Sequence, residues 1–127
     1  MATHKVYKPT EGELEILQVL WSKGKASVRD VHEIILQSKE AGYTTTLKLM
    51  QIMHEKGLVK RDDSSKVHIY EAKVSREKTQ NQFVGKMIST LFGGSTTKLV
   101  MQALGNHVPN KEELDEIQQL LNNLKKQ

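Results

Sequence analysis

The sequence predicts a mainly α-helical chain with one small β-hairpin, and three observations carry that expectation. Apolar residues recur at spacings of three and four in six separate segments. A Ser, Thr or Asn stands at the head of each segment, where its side-chain oxygen can accept from a backbone N–H that the first helical turn leaves unpaired. Between the third and fourth segments the period drops to two, which is the signature of strands.

The first helix is "PTEGELEILQVLWSKGK". Thr10 and Glu13 have capping-box spacing, Leu14, Ile16, Leu17, Leu20 and Trp21 form the apolar face, and Gly24 suits the exit. "ASVRDVHEIILQSKEAG" repeats the logic with Ser27 as cap, Asp30 closing the box, and Val28, Val31, Ile34 and Ile35 apolar before Gly42. The third helix is "YTTTLKLMQIMHEKG", with Thr44 as its expected cap and Gly57 as its stop. "LVKR" and "KVHIYEA" then read as two strands around a "DDSS" turn, the second alternating Val67 and Ile69 against His68 and Tyr70. Lys56, Lys60, Arg61 and Lys66 give this hairpin a basic rim. Three short helices followed by a hairpin make a winged helix-turn-helix, expected over residues 1–73.

Residues 74–127 read as a separate helical domain. Ser75, Ser95 and Asn110 head its three helices, and Gly93-Gly94 breaks the first from the second. Phe83, Met87, Leu91, Leu99, Leu104, Leu114, Ile117 and Leu121 lie on apolar stripes. Helices this short cannot bury such faces among themselves, so a second copy of the chain is the expected cover and this domain the expected dimerisation domain.

Composition narrows the function. The 127 residues are 37% hydrophobic and 5% aromatic, with no cysteine, a formal net charge of +4 and a pI near 9.3. Without cysteine there are no disulfides, thiol nucleophiles or thiolate metal sites. The start "MATHKVYKPTEGELE" has no apolar leader core, and no run is long and apolar enough for a membrane span; a cytoplasmic protein with no direct membrane insertion is expected. His4, His32, His54, His68 and His107 are scattered without metal-ligand spacing, and neither a nucleophile elbow nor a glycine-rich phosphate loop is present. No metal, cofactor or catalytic constellation is expected, and the chain reads as a non-enzyme.

The third helix carries the functional signal. Thr46, Leu49, Met50 and Met53 occupy its inner stripe, which leaves Thr44, Thr45, Leu47, Lys48, Gln51, Ile52 and Glu55 outside. A face kept only for solubility would hold Glu/Lys pairs. This one is short, nearly uncharged and able both to donate and to accept, as an edge reading bases in a groove must be. Thr and Gln can bond base edges or phosphates, Lys48 can reach a phosphate or guanine, and Leu47 and Ile52 can touch thymine methyls. Lys60, Arg61 and Lys66 would add phosphate contacts from the hairpin. Double-stranded DNA is the expected partner. A winged-helix module that binds protein through the same face is the alternative.

The stretches "PTEGELEILQVLWSKGKASVRDV", "YTTTLKLMQIMHEKGLVKR", "YEAKVSREK" and "LFGGS" together resemble the penicillinase-repressor family of bacterial regulators, which includes the β-lactamase, methicillin-resistance and copper-responsive repressors. The resemblance spans about residues 8–125. It implies a homodimer joined through the C-terminal helices, each winged domain placing its third helix in one half of a palindromic operator. It also implies release by a signal; members answering β-lactams are cleaved within the C-terminal helices, downstream of a membrane sensor. The position matching that scissile bond is Gln102-Ala103, where the best-known members have Asn-Phe, so a sensor-linked protease is a further expected partner for which this sequence departs from the pattern. The copper-responsive branch uses a cysteine-rich tail, and this chain has no cysteine.

Overall fold

The computed structural model describes residues 8–127; His4 and the first part of the stretch read above for a leader lie outside the described residues. The chain divides into two compact units, one running to Thr79 and the other covering Gln80–Gln127.

The first unit holds α1 (Glu11–Lys23), β1 (Lys25–Ser27), α2 (Val28–Ile35), α3 (Tyr43–Lys56), β2 (Val59–Asp62) and β3 (Ile69–Ala72). Its helix starts follow the capping chemistry. Thr10 Oγ1 accepts from Glu13 N–H at 3.3 Å, and Thr10 N–H donates to the Glu13 carboxylate at 2.9 Å. Ser27 and Asp30 make the same reciprocal pair at 3.1 and 3.3 Å. These bonds hold the Asp30 carboxyl below its ordinary value, the Ser27 backbone N–H first and its hydroxyl next. Gly24, at φ 87° and ψ −67°, ends α1 in a backbone region open to glycine. Gly57 ends α3 in the left-handed conformation, φ 82°.

Four expectations need correction. The sheet has three antiparallel strands in the order β1-β3-β2, so the hairpin is extended by a short first strand. "KAS" carries no β-branched residue, and Ser27 serves at once as strand end and helix cap, which hides the strand in the sequence. The second strand has the opposite parity to the one its alternation suggested. Tyr70 is 1% exposed and in the core, whereas Val67 is 60% exposed and precedes the ladder. Thr44 is not the cap of α3; the helix begins at Tyr43, with Gly42 at the N-cap and no side-chain cap bond. Lys56 does not belong to the wing rim, because its ammonium is committed elsewhere.

That commitment organises the core. Ile16, Leu17 and Leu20 of α1, Val31 and Ile35 of α2, and Met50 and Met53 of α3 pack with Leu58, Val59 and Tyr70 into one buried cluster. Helix α3 is held to α1 by an ion pair at the edge of that cluster. Lys56 Nζ donates to both carboxylate oxygens of Glu13 at 2.8 and 2.9 Å, and Glu13 is 1% exposed. Burial alone would push the Glu13 carboxyl up. The hydrogen bond from Lys56, the backbone N–H of Thr10 and the Lys56 charge outweigh it and hold the group below 4.5. Helix α3 is tied to α2 by a second buried polar contact, a 2.9 Å hydrogen bond between His32 Nδ1 and Thr46 Oγ1. The Tyr43 ring meets His32 edge-on, with centroids 5.5 Å apart.

Trp21 is half-buried, and its indole N–H donates to the Val74 carbonyl at 2.9 Å. The Arg76 guanidinium lies over the same ring, 5.7 Å from its centre. Residues 74–76 are therefore fastened to the first unit, and the division at Thr79 and Gln80 falls inside α4 (Arg76–Thr90).

The second unit takes the rest of α4, α5 (Thr96–Asn106) and α6 (Lys111–Lys125). Ser75, Ser95 and Asn110 each accept from the backbone N–H three residues on, at 3.0, 3.0 and 2.8 Å. Gly93 and Gly94 carry the α4–α5 turn at φ 58° and 88°, and Gly94 N–H donates to Ile88 O. Not one residue from 80 to 127 is buried.

The Glu13–Lys56 pair makes a stability prediction. Lys56→Met leaves a carboxylate buried without its counter-charge, which should cost about 3 kcal/mol at pH 7 in urea denaturation. A depressed carboxyl stabilises the fold above its unfolded value and loses that contribution as pH falls through the folded value. The deficit of the variant should therefore shrink as pH drops below 4.5, the ordinary value of this group. A deficit that stays constant with pH would show that packing of the lysine stem, not the ion pair, carries the effect.

Candidate nucleic-acid interface

The sheet sorts the basic residues of the wing by strand alternation. Arg61 pairs across the ladder with Tyr70, and Val59 with Ala72, which puts these four side chains on the helix side. Lys60 and Asp62 pair with Glu71 and Ile69 and take the opposite face. There Lys60 Nζ lies 3.7 Å from the Glu71 carboxylate, and Lys25 stands opposite Glu71 on the other side. With Asp62 on the same face, two acids meet two lysines and the charges balance. The Asp62 carboxylate accepts from the Ser64 N–H at 3.0 Å and opens the wing turn; its carboxyl is held low by the Ser64 hydroxyl and then by that backbone N–H.

On the helix side, the first half of α3 and the wing enclose a groove of about 420 Å³. Leu47 and Gln51 of α3, Arg61 of β2 and Lys66 of the wing all line it, so four of the residues expected to touch DNA meet there. Thr44, Thr45 and Lys48 are exposed on the same helix but do not line the groove, and Ile52 is half-buried. Lys60, on the other face of the sheet, does not join them.

Three further residues line the groove, of which Arg29 and Tyr43 carry no expectation from the sequence. Arg29 enters from the first turn of α2, Tyr43 from the start of α3, and His68 from the approach to β3. A cap at Thr44 would leave Tyr43 outside the helix, which hides it in the sequence. Arg29 had a signal of its own, a cation just inside a capped helix where the dipole prefers an acid. The lining contains no Asp or Glu. Arg29 and Arg61 do have carboxylate neighbours, Glu33 at 3.8 Å and Asp63 at 3.6 Å, but both pairs are long and both acids are well exposed. The Nε of Arg61 is buried and has no hydrogen-bond partner among the described residues.

Of the residues expected at the dimer contact, Leu91 is 71% exposed, and Met87, Leu114 and Leu121 are exposed as well; Met101 beside them is 69% exposed. Phe83, Leu99, Leu104 and Ile117 are half-buried. Met87, Phe92, Leu99, Gln102 and Ala103 line a groove of about 360 Å³ along α4 and α5. The Gln102-Ala103 peptide lies in the middle of α5, and both carbonyls are engaged: Gln102 O accepts from the Asn106 side chain at 3.0 Å, and Ala103 O from His107 N–H at 2.9 Å.

Comparison with known proteins agrees with this architecture. A family model described as penicillinase repressor matches residues 9–123. The chain is 23% identical over 114 residues to the penicillinase repressor of Staphylococcus aureus, covering 90% of each chain. It is 23% identical over 119 residues to the methicillin resistance regulatory protein MecI of Staphylococcus aureus (strain N315), covering 94% of this chain and 97% of that one. Among solved structures, the solution structure of the DNA-binding domain of the repressor BlaI superposes with a TM-score of 0.52 at 16% identity, over 58% of this chain and 90% of that one. That likeness shows the winged-helix fold of the first unit. With the family model spanning nearly the whole described chain, this protein belongs to the penicillinase repressor family.

Proposed function

We propose that the chain is a transcriptional repressor that binds a palindromic DNA operator as a homodimer and is released from it by a signal. The observation that carries this reading is the groove in which Leu47, Gln51, Arg61 and Lys66 converge with Arg29, with no carboxylate among the lining residues. Backbone phosphates would run along Arg29, Arg61 and Lys66, while Gln51 and Leu47 meet base edges and Lys48 approaches from beside them. The first turn of α3 has no side-chain cap, which leaves its amides to an outside acceptor next to Thr44 and Thr45. The proposed site lies in the cytoplasm, where the DNA is.

A second copy is supported by the second unit. No residue from 80 to 127 is buried, and a set of about 48 residues exposing Leu91, Met101 and Leu121 needs a partner surface. Two chains joined there would supply the two-fold symmetry that a palindrome reads. Release by a sensor-linked protease at Gln102-Ala103 would require local unwinding of α5, since a protease takes its substrate extended and this peptide is helical at both carbonyls. The alternative, a protein-binding module, is disfavoured by the cationic lining, because an apolar partner surface would gain nothing from three permanent charges.

Three outcomes are expected. Lys48→Ala with Gln51→Ala should weaken operator binding by roughly 10- to 1000-fold in gel shift and leave sedimentation unchanged. Binding by the unaltered protein should fall steeply with salt, and a nearly flat salt response would favour the protein-binding module. Leu99→Asp or Leu121→Asp should dissociate the dimer in analytical ultracentrifugation and weaken DNA binding as a consequence. If both variants remain dimeric, the interface lies elsewhere.

A further inference from the structure

The groove between α3 and the wing has more in it than a DNA phosphate uses. A phosphodiester is hydrophilic and would be satisfied at the rim by Arg29 and Lys66. Val28, Leu47, Val67 and Tyr43 line the same groove and give it an apolar wall. At about 420 Å³ the space is within the range that holds a small organic molecule, whereas a hydrated inorganic ion would leave the apolar wall wet. The buried Nε of Arg61 is a charged donor with no acceptor among the described residues, and a buried unpaired donor costs free energy until something accepts from it.

We infer that this groove binds a small organic anion with a flat apolar body, of the aromatic carboxylate class, and that binding excludes DNA. The carboxylate accepts from the Arg61 guanidinium, with Lys66 adding charge; the ring lies between Leu47, Val67 and Tyr43. Asp63 is the only carboxylate paired with Arg61 among the described residues, at 3.6 Å and well exposed, so an incoming anion displaces little. Because Leu47, Gln51, Arg61 and Lys66 are also the proposed DNA contacts, one groove cannot hold both ligands. The chain would then be relieved directly by a metabolite, without cleavage. The exclusion step rests on the DNA-binding reading; the binding step does not.

The test uses the full-length protein and 2-naphthoate as probe, with 2-naphthalenemethanol as the neutral analogue and inorganic phosphate at matched ionic strength as the plain anion. Amide chemical shifts should move with naphthoate at residues 27–29, 43–51 and 61–70, with a Kd below about 1 mM. The neutral analogue and phosphate should each bind at least about tenfold more weakly. Arg61→Gln should weaken naphthoate binding about tenfold, and Lys66→Gln, at an exposed position, should weaken it in the same direction. An unchanged amide spectrum away from the groove shows that both variants are folded. Adding naphthoate at ten times its Kd should lower apparent operator affinity by about tenfold or more. Absence of shifts in the groove, equal binding of phosphate or of the neutral analogue, or unchanged affinity in both variants would overturn the binding step. Naphthoate binding that leaves operator affinity untouched would overturn the exclusion. Shifts in the groove together with no affinity for any duplex would sustain the binding and refute the DNA reading instead.

Discussion

The orientation of α3 rests first on its ion pair with the buried carboxylate of Glu13. Glu13, at the third position of α1, closes its own helix cap and at the same time receives both hydrogen bonds of the Lys56 ammonium at the last turn of α3. The carboxylate is thus almost fully satisfied without water, the condition under which a buried charge is tolerable. At the other end of α3, Thr46 bonds His32 of α2. Helix α3 is therefore pinned at both ends by polar contacts that have little geometric slack, while Met50 and Met53 fill the space between them with side chains that adapt to any gap. Such an arrangement fixes the angle at which Leu47, Lys48 and Gln51 face outward. The reading of a DNA groove proposed for this helix needs that fixity more than it needs extra stability.

The two units divide the physical labour. The first buries a core and folds around its ion pair, and Trp21 carries its hold onward to Val74 and Arg76. The second buries nothing and keeps its apolar stripes on the surface. Its helices are well capped, so local structure is secured without a core, and the unspent hydrophobic free energy remains available to association. Under the proposed function, folding of the first unit and assembly of the pair are separable, and a change at Leu99 or Leu121 would act on DNA binding with no effect on the groove itself.

Much of this was legible in the sequence, because capping and periodicity are local. Thr10 with Glu13, Ser27 with Asp30, Ser75, Ser95 and Asn110 all cap as their spacing implied, and Gly57 ends α3 as expected. The misreadings arise where a non-local contact decides. Three residues of "KAS" become a strand only because β3 offers them an edge, and no propensity in them says so. Tyr70 rather than Val67 faces the core because Tyr70 sits between Ala26 and Arg61 in the ladder and joins the cluster under the helices, while Val67 precedes the ladder. Lys56 looked like a wing cation and is a core counter-ion, since its partner is 43 positions away in sequence. The groove suffered likewise: Leu47, Gln51, Arg61 and Lys66 were named from composition, but Arg29, Tyr43 and His68 join them only through the packing of α2 and β3 against α3.

Under the proposed function, two copies present their third helices together to successive turns of one duplex. Footprinting of the protein on a genomic fragment that it selects should then show two protected, inversely repeated half-sites whose centres are about ten base pairs, or a multiple of that, apart. Protection of one isolated half-site, or a fragment bound with no sequence preference, would contradict it.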